Sequence, residues 1–254
     1  KPIKDDLKYH RELAMRLDQT ASMIQLISSR VKDNPKTMVF AEGEEERIIR
    51  AAYQWNKAGY GNSILIGRKS RVLDVIENLG LDPNQKGVEI LNAKISKNNA
   101  HYADFLYSRL QRSGFLIRDC IRLINQDRNS FAACIVATGD ADAMVTGTTR
   151  NYYASLKDIK RVIAIEKEKI LFGLSIMITR TRTLFIADST VIHTPTSEQL
   201  ADIAVQAASK ARALGHTPRV ALLSFANFGN PTMKGTERIH EAKEILNKRK
   251  VDFE

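Results

Sequence analysis

Between residues 37 and 147 short apolar runs alternate with amphipathic segments, and this alternation constrains the fold more than any other feature of the chain. The runs "TMVFAEG", "SILIG", "VEILNA" and "AMVTG" have strand length. The intervening "EEERIIRAAYQWNKAGY", "RVLDVIENLG", "ADFLYSRLQRSG" and "LIRDCIRLINQDRNSFAACIVATGD" carry apolar residues at helical spacing. Strands separated by helices return to the same end of a sheet, so they pair in parallel, and a parallel sheet needs helices over both faces. The first half of the chain is therefore expected to be a doubly wound α/β layer. In its first helix three glutamates, Glu44 to Glu46, suit the positive end of the helix dipole, and Gly59 suits its close.

Upstream, "DDLKYHRELAMRLD" and "ASMIQLISSRVKDN" read as helices, the second stopped by Asn34-Pro35. Downstream, helix "ASLKDIKRVIAIE" resumes the pattern, and then "ILFGLSIMIT" and "TLFIAD" follow closely around "RTR". That spacing suits a hairpin and the start of a second sheet. A helix "SEQLADIAVQAASKARALG" with Thr196 or Ser197 as cap, a strand "RVALLSFA", a loop "NFGNPTMKG", a helix "TERIHEAKEILNKR" and a short strand "VDFE" complete the chain. The expected division is a helical linker over 1–35, a first α/β domain over 36–145 and a second over 146–254, cut short at its end.

Composition narrows the function classes. With 254 residues, 43% hydrophobic and 27% charged, the chain can bury a sizeable core. No apolar run approaches the ~20 residues of a membrane span, and the N-terminus lacks an apolar leader, so a cytoplasmic location is expected. Cys120 and Cys134 lie in helix-like apolar sequence and read as buried free thiols; no His, Cys or carboxylate spacing argues for a metal. The net charge of +10 favours a polyanionic partner. Basic residues are interspersed with acids along amphipathic helices, and no recognition helix or RNP-type aromatic pattern accompanies them, which leaves nucleic-acid binding a remote alternative.

In open α/β sheets ligands lie beyond the carboxyl ends of the strands, where this chain has "AEGEEER", "TGTTRNY", "DSTVIHTPTSEQ" and "FANFGNPTMKGT". The second and fourth combine glycine, hydroxyls and a cation ahead of a helix. Such loops offer backbone N–H groups, a favourable dipole and close approach to phosphate, while plain N-capping by Thr149, Asn151, Ser155 or Thr236 needs no ligand. Neither is a GxGxxG or a P-loop, and no G-x-S-x-G elbow occurs. Asp188 serves equally well as ligand orienter or as cap.

Six stretches in order, "MVFAEGEEERIIRAA", "DADAMVTG", "LFIADSTV", "PTSEQLADIAVQAA", "PRVALLSFANFG" and "KGTERIHEA", resemble the phosphotransacetylase-like family (phosphate acetyl/butyryltransferase). The wording "TGTTRNYYASLKDIKRVI" and the closing "VDFE" look most like the carboxyl-terminal domain fused to bacterial NADP-dependent malic enzymes. The resemblance runs from about Thr20 onward. It implies two three-layer α/β/α domains with mostly parallel sheets and a cleft between them, in which catalytic members bring together coenzyme A and acetyl phosphate. Carried over by position, it assigns Thr146, Gly147, Thr148, Thr149, Arg150 and Asn151 to one wall, and Asp188, Ser224, Lys234, Gly235 and Thr236 to the other.

Two departures decide between the roles the resemblance offers. Nothing here matches the Ser-Arg-Asp loop that the family uses in catalysis, and Arg150-Asn151-Tyr152 stands where active transacetylases carry smaller residues. The expectation is a domain without catalysis of its own, a regulator and oligomerisation module that binds acetyl-CoA or a related acyl-CoA or phosphate ligand. NADP and a divalent metal belong to the attached malic enzyme domain, and a homo-oligomer of dimer size or larger is implied. The alternative is an active phosphate acetyltransferase.

Overall fold

The computed structural model describes residue 9 and residues 19–179, 182–224 and 234–254. It divides into two compact units, Ser28–Ala164 on one side and Lys1–Ile27 with Ile165–Glu254 on the other. The first unit thus continues past residue 145 to Ala164. The helix after the fourth strand stays with it because Val162 joins the core formed by the helices around residues 102–135.

In the first unit the strands β1 (Met38–Phe40), β2 (Ser63–Ile66), β3 (Val88–Leu91) and β4 (Ala143–Val145) form one sheet in the order β3-β2-β1-β4. Every pairing is parallel, with Met38 opposite both Ser63 and Ala143. Helix α1 (Gln19–Asp33) precedes the sheet; α2 (Glu46–Lys57), α3 (Lys69–Asn78), α4 (Asn99–Leu110), α5 (Ile117–Gln126) and α6 (Arg128–Ala137) lie between strands, and α7 (Tyr152–Val162) follows β4. Alternate strand residues feed two separate cores. Val39, Ala41, Ile64 and Ile66 join Tyr102, Leu106, Ile124 and Phe131 of α4, α5 and α6. Phe40 and Leu65 join Ile49, Ala52, Val72 and Ile76 of α2 and α3. This period of two makes the sheet the middle of three layers, as the alternation of strands and helices requires.

Three local readings are corrected. The region 116–140 is two helices, because Asp127 turns the chain out of the helical line and its carboxylate accepts the Ser130 N–H (2.9 Å) and hydroxyl (2.6 Å) as the cap of α6. Of Glu44 to Glu46 only Glu46 lies in the first turn of α2. Glu44 instead accepts the Arg68 backbone N–H at 2.9 Å and its guanidinium at 3.0 Å, which lowers its pKa to about 2. The third correction lies in the second unit. Residues 219–224 and 251–254 form no strand among the described residues; one backbone bond, Val220 N–H to the Glu254 carbonyl at 2.7 Å, joins them. Val220, Leu222, Val251 and Phe253 still pack on Ala201, Ala204 and Leu246, so the apolar signal reports burial without a ladder.

The second unit otherwise contains the expected hairpin, β5 (Leu174–Ile178) antiparallel to β6 (Thr183–Ala187), with helices α8 (Ser197–Ala213) and α9 (Lys234–Lys248). Thr196 caps α8: its hydroxyl accepts the Gln199 N–H, and the Gln199 side chain accepts the Thr196 N–H. The helix expected within 5–18 and most of the loop 227–235 lie outside the described residues. Among the described residues no helix is long and apolar enough to cross a membrane, and no group of His, Cys, Asp and Glu could hold a metal ion.

Candidate functional site

The chain runs outward from β1 through β2 to β3 and then crosses to β4 on the other side of β1. The topological switch point, where open α/β sheets bind ligands, therefore lies beyond the carboxyl ends of β1 and β4. Two segments meet there: Ala41-Glu42-Gly43 after β1, and Thr146 to Asn151 after β4. Gly43 is required at its position, since a Cβ there would lie 2.8 Å from the Ile66 nitrogen and 2.9 Å from Leu65. Gly147, at φ 108°, turns the second segment so that successive N–H groups converge.

The group on which they converge is the Glu42 carboxylate. Gly147 N–H donates to Oε2 at 3.1 Å and Thr148 N–H at 2.6 Å, while Thr149 N–H and the Thr149 hydroxyl donate to Oε1 at 2.8 and 2.6 Å. Arg128 donates in turn to Thr149 Oγ1 at 2.9 Å, placing a cation one hydrogen bond from the carboxylate. Glu42 is only 1% exposed. Burial alone pushes its pKa up, but the Thr149 hydroxyl and the Thr148 and Thr149 amides outweigh burial and hold it at about 2. Position 42 carried no expected role; the available signal was an acid where a buried strand ends, one residue before a glycine.

Each remaining residue of the segment is tied into the same end of the unit. Thr146 donates its hydroxyl to Asn129 Oδ1 at 2.7 Å; Asn129 is fully buried, and its Nδ2 has no partner among the described residues. Arg150 lies between two carboxylates, Asp127 at 2.6 Å and Asp158 at 3.3 Å, and Asp158 also receives Arg161 at 2.9 Å. Burial raises the Asp127 pKa, but the donors from Ser130 and Arg150 leave it below the usual value. Asn151 caps α7, its Oδ1 accepting the Tyr153 N–H at 2.8 Å. The capping explanation holds for Asn151, and the convergent amides hold a carboxylate of the chain itself.

Asp188, in the second unit, shows the same arrangement at the end of β6. Its carboxylate accepts the N–H groups of Gly173 (2.6 Å), Thr190 (3.0 Å), Val191 (3.1 Å) and Ile192 (2.6 Å). Burial acts upward on its pKa, and the backbone donors outweigh it and lower the value. Of the other expected residues of this unit, Ser224 is exposed in the segment before the loop, and Lys234, Gly235 and Thr236 form the first turn of α9. The structure thus unites residues 146–151 around Glu42, Asp127 and Asp158 in one unit, while Asp188, Ser224 and Lys234–Thr236 belong to the other.

Comparison with known proteins agrees with this architecture. A phosphotransacetylase from Streptococcus pyogenes superimposes with a TM-score of 0.81 over 91% of this chain and 70% of its own, at 23% identity, a likeness of fold. The chain is 48% identical to the NADP-dependent malic enzyme of Rhizobium meliloti (strain 1021) over all of its 254 residues, which match 33% of that protein. It is 30% identical to the phosphate acetyltransferase of Helicobacter pylori (strain J99 / ATCC 700824) over 87% of this chain and 42% of that one. The chain spans about a third of the length of the malic enzymes that it matches. The family model for phosphate acetyl/butaryl transferase matches residues 22–254, and the chain belongs to that family.

Proposed function

We propose that this chain is the phosphotransacetylase-like regulatory and oligomerisation domain of an NADP-dependent malic enzyme, binding acetyl-CoA or a related acyl-CoA or phosphate ligand without turning it over. One observation carries the reading: the whole chain matches one third of a malic enzyme at 48% identity. Arg150 supports it, because its charge is already balanced by Asp127 and Asp158 and is not held in reserve for a reacting phosphate. The stretches 146–151, Asp188, Ser224 and Lys234–Thr236 are the proposed ligand contacts. A regulator needs only unequal affinities for two states of the attached oxidoreductase, whose malate, NADP and metal sites lie in other residues. A dimer or larger assembly is the form in which such coupling passes between copies.

Isothermal titration of acetyl-CoA into the full malic enzyme tests this. The expected result is saturable heat with a matching change in the rate of malate oxidation; no heat at millimolar ligand refutes it. The phosphate acetyltransferase relative favours a second reading, acetyl transfer between coenzyme A and phosphate by this chain. Thiol release from acetyl-CoA on adding phosphate measures that activity, and a rate equal to the blank without protein eliminates it.

A further inference from the structure

Glycine, hydroxyls and convergent amides beyond a β-strand normally describe a pocket for a ligand's phosphate. Here three amides and one hydroxyl already converge on one carboxylate, at 2.6 to 3.1 Å. Glu42 is 1% exposed and stands two residues beyond the end of β1, the strand that pairs with β4 in the same sheet. The adjacency matters: β1 and β4 are held in register by Val39 opposite Met144 and Phe40 opposite Val145, and the Ala41 N–H continues to the Val145 carbonyl at 3.0 Å. Glu42 is therefore delivered to the loop by the sheet itself and not by a mobile side chain reaching in. The Arg128 donation to Thr149 Oγ1 supplies the countercharge through one hydroxyl.

We propose that the 146–149 nest is an oxyanion site whose resident oxyanion is the chain's own Glu42 carboxylate, and that Glu42 keeps these amides closed to phosphorylated ligands in the native protein. The amides of Gly147, Thr148 and Thr149 have one strong acceptor each, so an incoming phosphate gains nothing there without expelling a buried, fully hydrogen-bonded charge. Phosphate also brings added negative charge against Glu42, which like-charge repulsion opposes. A ligand meets this loop through its outer side chains and the exposed Cα face of Gly147, not through the three amides. The inference goes beyond the proposed function and applies equally to a regulator and to a transferase.

Chemical rescue tests it on the 254-residue chain. Glu42→Ala lowers the thermal midpoint by several degrees and leaves a space of carboxylate size lined by four donors. Formate or acetate at fixed ionic strength then restores a large part of that loss, whereas chloride does not, and the native chain shows no such selectivity. Equal midpoints for native and variant, or equal effects of formate and chloride on the variant, overturn the proposal. A second measurement needs no variant: the amide resonances of Gly147, Thr148 and Thr149 in the native chain are followed during titration with inorganic phosphate. They are expected to stay in place, and a saturable shift of all three shows an open nest and refutes the assignment even if Glu42→Ala does not fold.

Discussion

Acid should destabilise this protein through Glu42 over a defined pH range. The carboxyl is held at about 2 against an ordinary value of 4.5. A difference of about 2.5 at about 1.36 kcal/mol per unit corresponds to roughly 3 kcal/mol favouring the folded state when both states are ionised. Because the folded value is the depressed one, this stability is fully present above about pH 4.5 and is lost as the pH falls toward 2, where the unfolded chain takes up the proton first. By about pH 3 the unfolded carboxyl is almost entirely protonated and the folded one almost entirely ionised, so about 2 kcal/mol of the contribution has gone. Glu44, also lowered to about 2 by Arg68, titrates in the same range, so the native curve carries both residues. Urea unfolding at about pH 7 and about pH 3 isolates the Glu42 share when repeated on Glu42→Gln. The amide has one acceptor, and its NH2 confronts the loop N–H groups, so the variant is less stable at neutral pH and its loss on acidification is smaller by about 2 kcal/mol. Native and variant curves that fall by the same amount refute the account of Glu42 as an ionised, buried acceptor.

Replacing Arg150 by Met leaves Asp127 and Asp158, whose side chains are 14% and 15% exposed, short of their shared cation. A loss of about 2–4 kcal/mol is expected in denaturant unfolding, with part regained in the double variant that also carries Asp158→Asn. Phe131→Ala removes a fully buried ring that meets Tyr102 edge-on with centroids 5.6 Å apart, and should cost about 3–5 kcal/mol in the same assay. Burial raises the thiol pKa of Cys120 and pushes that of Cys134 up to about 12, so neither thiol should react with iodoacetamide until the protein is unfolded; mass spectrometry before and after denaturant checks this.

The elements of the first unit were legible because each writes a local period into the chain. Phe40 and Leu65 face one core while Val39 and Ile64 face the other, so unbroken apolar runs of strand length, alternating with helices, match strands covered on both faces of a parallel sheet. The break at Asp127 was also written locally, as an acid three residues before Ser130, but it was hidden within a run whose apolar spacing continues across it. Residues 219–224 failed for the opposite reason: Val220 and Leu222 alternate as a strand does, yet alternation records only which side chains are buried, and a strand also needs a neighbour's backbone.

The site was half legible for a physical reason that separates donors from acceptor. The glycine and hydroxyls of 146–149 are local chemistry, so their capacity to hold an anion could be read directly. The anion they hold lies 105 to 107 residues earlier, where an acid followed by more acids resembles the favourable first turn of a helix. Only the pairing of β1 beside β4 brings the two together, and that pairing follows from sheet order, which the strand pattern leaves open. Asp188 is the local counterpart: three of its four amide donors, Thr190, Val191 and Ile192, follow it within four residues, and Gly173 lies fifteen residues before it. An amide-rich loop in an α/β protein is thus evidence for a bound anion, while the source of that anion, ligand or chain, is decided by whether a neighbouring strand ends in a buried carboxylate.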